Sequence, residues 1–195
     1  LLTSSFISDF NYLYFAYPVI GILITILFMK YILKQQVGHG IPAVLYAISK
    51  KNSIMKRHNM FSSMIASTLT VGFGGSAGLE GPTVATGSSI GSNIGRTLHL
   101  NYKTITLLLG CGAAGAMAGI FNAPIAAIVF ALEVIMLDLT LSSLVPLLVA
   151  SASAALVSNL LMGSEILFKV SLTEFFELSD VPFYILLGLL CGSIS

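Results

Sequence analysis

Uncharged apolar stretches alternate with short charged segments along the whole chain. No Asp, Glu, Lys or Arg occurs in Thr104–Leu132 or in Leu139–Ser164, and Glu80 is the only such residue between His58 and Gly95. Apolar stretches of about 20 residues predict helices that lie in a bilayer. We therefore predict an all-α integral membrane protein, with helices at 11–34, 41–50, 59–73, 82–97, 103–120, 123–135, 140–162 and 181–195.

The basic residues predict which side of the membrane each connection faces. Eight of the nine lie in Lys30–Lys34, Lys50–Arg57 and Arg96–Lys103, which the positive-inside rule assigns to the cytoplasm. The segments 37–57 and 58–96 would then each begin and end on the same side. Both segments are thereby predicted to enter the membrane and return.

The segment 58–96 is interrupted at its centre by glycines between Gly72 and Gly81. Backbone that is not helical at membrane depth is tolerated only where it is buried in protein or lines a polar cavity. We interpret the segment as two half-helices that meet within the membrane, an arrangement typical of substrate sites.

The composition supports the membrane assignment and excludes several classes of site. Only 9% of the residues are charged, against about 25% in soluble domains, and the mean hydropathy is +0.95. No basic patch with interleaved aromatics indicates nucleic acid. The histidines and acids show no metal-ligand spacing, so we expect neither metal nor cofactor. Cys111 and Cys191 lie in apolar runs and are interpreted as packing residues.

One motif that would indicate a dinucleotide cofactor is rejected. Gly110–Gly115 fits G-x-G-x-x-G, and Glu133 follows at a suggestive distance. The segment lies within an uncharged apolar span, however, and the solvated face of a βα unit is missing. The glycines here, like Gly87, Gly91 and Gly95, have the spacing of tightly packed membrane helices.

Two segments that combine glycine and proline are the candidates for binding an ion. They are Gly38-His39-Gly40-Ile41-Pro42 and Gly78-Leu79-Glu80-Gly81-Pro82. Proline suits the first turn of a helix, and glycine lets the backbone approach an ion closely. Each segment therefore predicts a helix N-terminus that carries about +0.5 of an elementary charge and can bind an anion.

Glu80 lies at one of these helix starts and is expected to be buried. An ionisable group inside the membrane is a functional candidate. Its carboxylate can occupy the place of an anion when ionised and leave when protonated. The alternative is a surface glutamate that merely stabilises the start of its helix.

Three motifs together resemble the CLC chloride channel and transporter family. Gly78-Leu79-Glu80-Gly81-Pro82 resembles its GxEGP signature, and Gly38-His39-Gly40-Ile41-Pro42 resembles GSGIP. Phe121-Asn122-Ala123-Pro124, before a helix ending near Glu133, is a third match in the family's order. The resemblance covers nearly the whole chain and implies an inverted-repeat architecture with tilted and re-entrant helices.

The resemblance implies roles for these residues. Glu80 would be the external gate, and the anion-binding residues would be Gly38, His39, Gly40, Ile41, Leu79, Glu80 and Gly81. Residues 1–195 would form a single transmembrane domain, with the first repeat at about 1–164 and the start of the second at about 181–195. The chain is expected to be a fragment, with further anion ligands beyond Ser195.

Three residues depart from the family pattern. His39 replaces a serine whose hydroxyl touches the ion, and a histidine can donate to an anion or point away. Leu79 replaces a basic residue often found beside the gate. Val134 falls where antiporters of the family often have a proton-relaying glutamate, and Glu133 precedes it. Valine there resembles the channel members, although some exchangers also lack the glutamate.

The resulting prediction is a chloride channel of the CLC family, with a proton-coupled antiporter as the alternative. A membrane enzyme or a purely structural protein is disfavoured, because no nucleophile–base pair or metal cluster is evident. The expected partners are chloride or a similar anion, the lipid bilayer and a second copy. By resemblance, the helices at 123–135 and 140–162 would contribute to the homodimer interface. The expected location is the plasma (inner) membrane, crossed several times.

Overall fold

The computed structural model describes residues 16–33, 40–135, 141–163 and 181–194, and these residues contain helices and no strand. The α-helices are α1 (Ala16–Leu27), α2 (Gly40–Lys50), α3 (Ser62–Gly72), α4 (Glu80–Thr97), α5 (Tyr102–Phe121), α6 (Pro124–Phe130), α7 (Leu141–Met162) and α8 (Val181–Ile194). Two π-helical segments, Phe28–Leu33 and Ala131–Ile135, continue α1 and α6.

The predicted all-α class and helix order are confirmed. The predicted break also occurs, because α3 ends at Gly72 and α4 begins at Glu80. The predicted helix ends at 11–15, 34, 140 and 195 lie outside the described residues. Two helices, Tyr102–Phe121 and Ser143–Met162, are long and apolar enough to cross a membrane by length and composition.

The chain divides into two compact units, residues 1–165 and 166–195. The described part of the second unit is α8, an apolar helix whose side chains are exposed. All of the packing described below belongs to the first unit.

Where helices α4 and α5 cross, glycines of each helix lie directly against the backbone of the other. A Cβ added at Gly91 would collide with the carbonyl oxygen of Leu108, and one added at Gly112 would collide with that of Gly87. The helices are antiparallel, because the earlier residue of α4 meets the later residue of α5. Such close approach allows Cα–H···O and dispersion contacts along the crossing, as predicted from the glycine spacing.

Helix α7 packs on α5 and runs in the same direction. Gly115 faces Ala150, and further along both helices the Ser158 hydroxyl donates to the Gly119 carbonyl oxygen at 2.6 Å. The parallel arrangement is possible because α6 reverses the chain between them. Helix α5 is consequently packed on both sides, and its residues form much of the core.

Two buried hydroxyls of α4, those of Ser89 and Ser92, are bonded to the loop that follows α2. The Ser92 hydroxyl donates to the Ser53 carbonyl at 2.6 Å and accepts from the Met55 N–H at 3.0 Å. The Ser89 hydroxyl donates to the Lys56 carbonyl at 3.2 Å. These bonds explain why a helix rich in serine can be buried in a membrane protein, since buried polar groups need partners.

The same bonds bring two of the predicted cytoplasmic stretches, Lys50–Arg57 and Arg96–Lys103, to one end of α4. His58 follows the first stretch, with its Nδ1 3.3 Å from the Ser62 Oγ. Burial, and secondly the charge of Lys56, lower the pKa of His58 below its ordinary value. We call this end of the unit the basic end.

Helix α1 runs antiparallel to α3. A Cβ at Gly74 would lie 3.9 Å from Pro18, and further along α1 the Thr25 and Thr70 hydroxyl oxygens are 3.4 Å apart. Since α3 begins beside the basic end, α1 leads toward that end and places Lys30 on the same side. The three basic stretches, so far as they are described, thus share one side, as the positive-inside rule predicts.

The crossing of α4 and α5 predicts that a methyl group added at a glycine within the crossing lowers stability more than one added at a glycine outside it. We expect Gly91→Ala to destabilise the full-length protein by about 1–3 kcal/mol or more, because its Cβ would meet backbone, which cannot turn aside as a side chain can. The measurement is the thermal unfolding midpoint of the purified protein in detergent.

Gly115→Ala is the matched control, because its Cβ would stand 3.6 Å from the nearest atom, an ordinary contact. It should be neutral or stabilising by up to about 1 kcal/mol through its better helix propensity. Equal midpoints for the two variants would contradict the crossing.

Candidate functional site

The starts of α2 and α4 meet at two glycines, one from each Gly-Pro segment. A Cβ added at Gly40 would lie 3.0 Å from the Cα of Gly81, and one added at Gly81 would lie 3.6 Å from the Cα of Gly40. Gly40 also has φ of +46°, a left-handed conformation that side chains rarely adopt. Two segments distant in the chain therefore come together at their motif residues.

The two helices run in the same direction from this point. Their starts meet at Gly40 and Gly81, and the loop after α2 is hydrogen-bonded to Ser92, late in α4. Two positive helix ends therefore lie side by side. Their partial charges act together on any anion placed near both, because each helix start carries about half a positive charge.

The first turn of α4 has no side-chain cap. Leu79 is its N-cap, and the apolar side chain of Leu79 cannot accept a hydrogen bond. Asn101, in contrast, caps α5 by accepting from the Thr104 N–H at 2.9 Å. Among the described residues, the N–H groups of Glu80 and Gly81 have no backbone acceptor. Pro82 has no N–H, so this start presents two adjacent amide donors to a ligand.

Glu80 occupies the first turn of α4 and is exposed in this chain. The expectation that it is buried is therefore wrong for the described residues. The reason is that α4 is covered from Thr83 onward by its neighbours, while the segment before it lies on the surface. Its exposure leaves the carboxylate room to change rotamer beside the two amide donors.

The structure brings together Gly40, Ile41, Leu79, Glu80 and Gly81 of the predicted site residues. Ile41 is half-buried and packs against the core, and Leu79 is 45% exposed beside Glu80. Gly38 and His39 lie outside the described residues. The predicted roles of all seven residues remain predictions.

The third motif makes a sharp corner between α5 and α6. Asn122 ends α5 in a left-handed conformation, φ 51° and ψ 34°, and Pro124 begins α6. The side-chain amides of Asn122 and Asn159 donate to each other at 2.9 and 3.0 Å. Asn159 was not singled out from the sequence, although an amide in the apolar run of α7 is a signal for such a partner.

Val134 lies in the π-helical turn Ala131–Ile135, half-buried against the core. Glu133, one residue earlier, is exposed. Short π-helical turns occur often at functional sites. Glu80 and Glu133 are the only carboxylates in the described parts of the chain, and they stand on different helices around α5.

Comparison with known proteins identifies the family. The family model described as voltage gated chloride channel matches residues 20–195. This chain belongs to that family, the CLC family. The Arabidopsis thaliana chloride channel protein CLC-f is 30% identical over 80% of this chain, and the Vibrio cholerae H(+)/Cl(-) exchange transporter ClcA is 29% identical over 81%. The predicted resemblance is confirmed.

A solved structure supports the same fold. The crystal structure of a CLC-type fluoride/proton antiporter matches 93% of this chain with a TM-score of 0.75 and 30% identity. This chain spans 46% of that chain, 34% of the exchange transporter and 22% of CLC-f. It thus corresponds to less than half of each of these CLC proteins.

The glycine contact at the two helix starts makes a testable prediction. Gly40→Ala should destabilise the full-length protein by about 1–2 kcal/mol, because φ of +46° is strained for alanine and its Cβ would press on Gly81. Gly81→Ala is the matched control on the other side of the same contact, and its Cβ would make an ordinary 3.6 Å approach. Thermal unfolding in detergent measures both, and a loss that is larger for Gly81→Ala would refute the described geometry.

Proposed function

We propose that this chain forms part of a chloride channel of the CLC family, in which Glu80 gates the path of chloride or a similar anion. The observation that carries the proposal is the meeting of two helix starts at Gly40 and Gly81, with a carboxylate beside them. Such a place favours negative charge without holding it by a full positive charge, and conduction needs binding weak enough for release.

Glu80 competes with the anion in this proposal. When ionised, its carboxylate takes the amide donors of the α4 start and excludes chloride. When protonated, it loses its attraction to the two helix ends and turns away. The amides around Leu79, Glu80 and Gly81, together with the segment Gly38–Ile41, then hold the anion.

Val134 favours a channel over an antiporter. A proton-coupled exchanger needs titratable side chains that pass protons along, and the valine side chain cannot bind a proton. The alternative is a proton-coupled anion antiporter, and it is favoured by the 30% identity to a protein described as a CLC-type fluoride/proton antiporter. In that case the protons need a route that does not use position 134.

Glu80→Gln tests the gate. The amide cannot ionise, so anion flux through the full-length protein in liposomes should lose most of its dependence on pH. Glu133→Gln is the matched control, because it removes the other described carboxylate and leaves the start of α4 unchanged. A Glu80→Gln variant that responds to pH like the unmodified protein would exclude Glu80 as the gate.

Coupling is tested in the same liposomes. A chloride gradient is imposed, the voltage is clamped with a potassium ionophore, and external pH is recorded. For a channel we expect chloride flux without proton movement. Uphill proton movement driven by chloride would establish the antiporter instead, whatever the result at Glu80.

The family and the apolar helices support a membrane protein. Its location in the plasma (inner) membrane, the homodimer and the division into repeats stay predictions. The exposed apolar side chains of α7, among them Val145, Leu148 and Leu156, suit either lipid or a second copy.

A further inference from the structure

A surface cavity lies at the basic end, far from Glu80 along α4. It is formed between the turn Arg57–Met60 and the last turns of α4, and its volume is about 310 Å³. Its lining residues are Arg57, Met60, Asn93, Ile94, Thr97 and Leu98. Arg57 is the one charged residue among them, so the cavity, as described, carries a single positive charge.

The wall of this cavity holds an incomplete hydrogen-bond network. Asn93 is only 6% exposed, and its Nδ2 donates to the Ser89 carbonyl at 2.8 Å. Its Oδ1 has no donor among the described residues, and neither has the buried Oδ1 of Asn59 in the adjoining turn. Buried acceptors without partners are uncommon and indicate a missing donor such as a water or a ligand hydroxyl.

An apolar stripe leads away from the cavity along α4. Leu98, Ile94 and Ile90 are 63%, 48% and 39% exposed and are spaced four residues apart, so they share one face. The stripe covers about 12 Å of helix at 1.5 Å per residue. It begins at the basic end, where the positive-inside rule puts the lipid headgroups of the cytoplasmic leaflet.

We propose that this cavity, with the stripe above it, binds an anionic phospholipid whose headgroup carries hydroxyl donors, as phosphatidylglycerol does. Arg57 pairs with the phosphate, the headgroup hydroxyls face the carboxamide wall at Asn93, and an acyl chain lies along Leu98, Ile94 and Ile90. The charge of the cavity matches a phosphodiester, and the apolar stripe gives a lipid an advantage over a free phosphate.

The test uses the full-length protein in detergent with added phosphatidylglycerol or phosphatidylcholine. Bound lipids are counted by native mass spectrometry, and the thermal unfolding midpoint is followed with lipid concentration. We expect phosphatidylglycerol, and not phosphatidylcholine, to be retained and to raise the midpoint. Arg57→Gln should weaken the affinity for phosphatidylglycerol roughly fivefold, because one cation near an anionic membrane surface strengthens binding by about that factor.

Lys103→Gln is the matched control, because it removes a cation from the same end but outside the cavity. It should bind phosphatidylglycerol like the unmodified protein. An equal loss of phosphatidylglycerol affinity in Arg57→Gln and Lys103→Gln would mean that the lipid is attracted to the basic end as a whole. That result would overturn the site. So would equal retention of the two lipids, the result expected if the remainder of the full-length protein fills the cavity.

The contact between the acyl chain and the apolar stripe is tested separately. Leu98→Ser, an exposed position that should fold, is expected to weaken phosphatidylglycerol binding. Soluble glycerol phosphate should stabilise the unmodified protein far less than the lipid does. If it stabilises equally well, the cavity binds a free phosphate compound and the lipid assignment is wrong.

Discussion

Where α4 and α5 cross, the backbone of one helix lies directly against the backbone of the other, with no side chain between them. Gly87 meets Gly112 and Gly91 meets Leu108. A contact of this kind has no rotamers through which to relax, so it fixes the position of α4 rigidly. Both ends of that helix depend on it. One end presents the uncapped start beside Gly40, and the other holds the loop with the basic residues.

Two serine hydroxyls late in α4 and the two amides at its start are bonded in opposite ways. Toward the basic end, the hydroxyls of Ser89 and Ser92 are bonded to backbone groups of the preceding loop. At the other end, the N–H groups of Glu80 and Gly81 have no described acceptor. Saturated polar groups stabilise a fold, whereas donors left open at a helix start are available to a ligand. In the proposed function, this contrast within one helix lets a chain that is poor in charge offer donors to an anion.

The helices and the break before Glu80 could be predicted from the sequence because their signals are local. Proline and glycine mark helix ends, and the charged segments mark where apolar spans stop. The approach of Gly40 to Gly81 could not be derived in this way, since it depends on how α2 and α4 pack. The same is true of the bond between Asn122 and Asn159. The expected burial of Glu80 is wrong for the described residues, because the apolar residues around it in sequence do not cover it in space.

The serine-rich face of α4 has a consequence for synthesis at the ribosome. With 18 residues α4 has the length of a span, but it is not apolar enough to rank with α5 and α7 as one. Each hydroxyl or amide that enters lipid without a partner costs free energy, so the translocon would not release this segment into the bilayer as a lone helix. Its partners include Ser53 and Met55, made earlier, and the glycine face of α5, made later. We therefore expect α4 to enter the membrane together with the elements that cover it, the preceding loop at its hydroxyls and α5 at its glycines, and not as a lone helix.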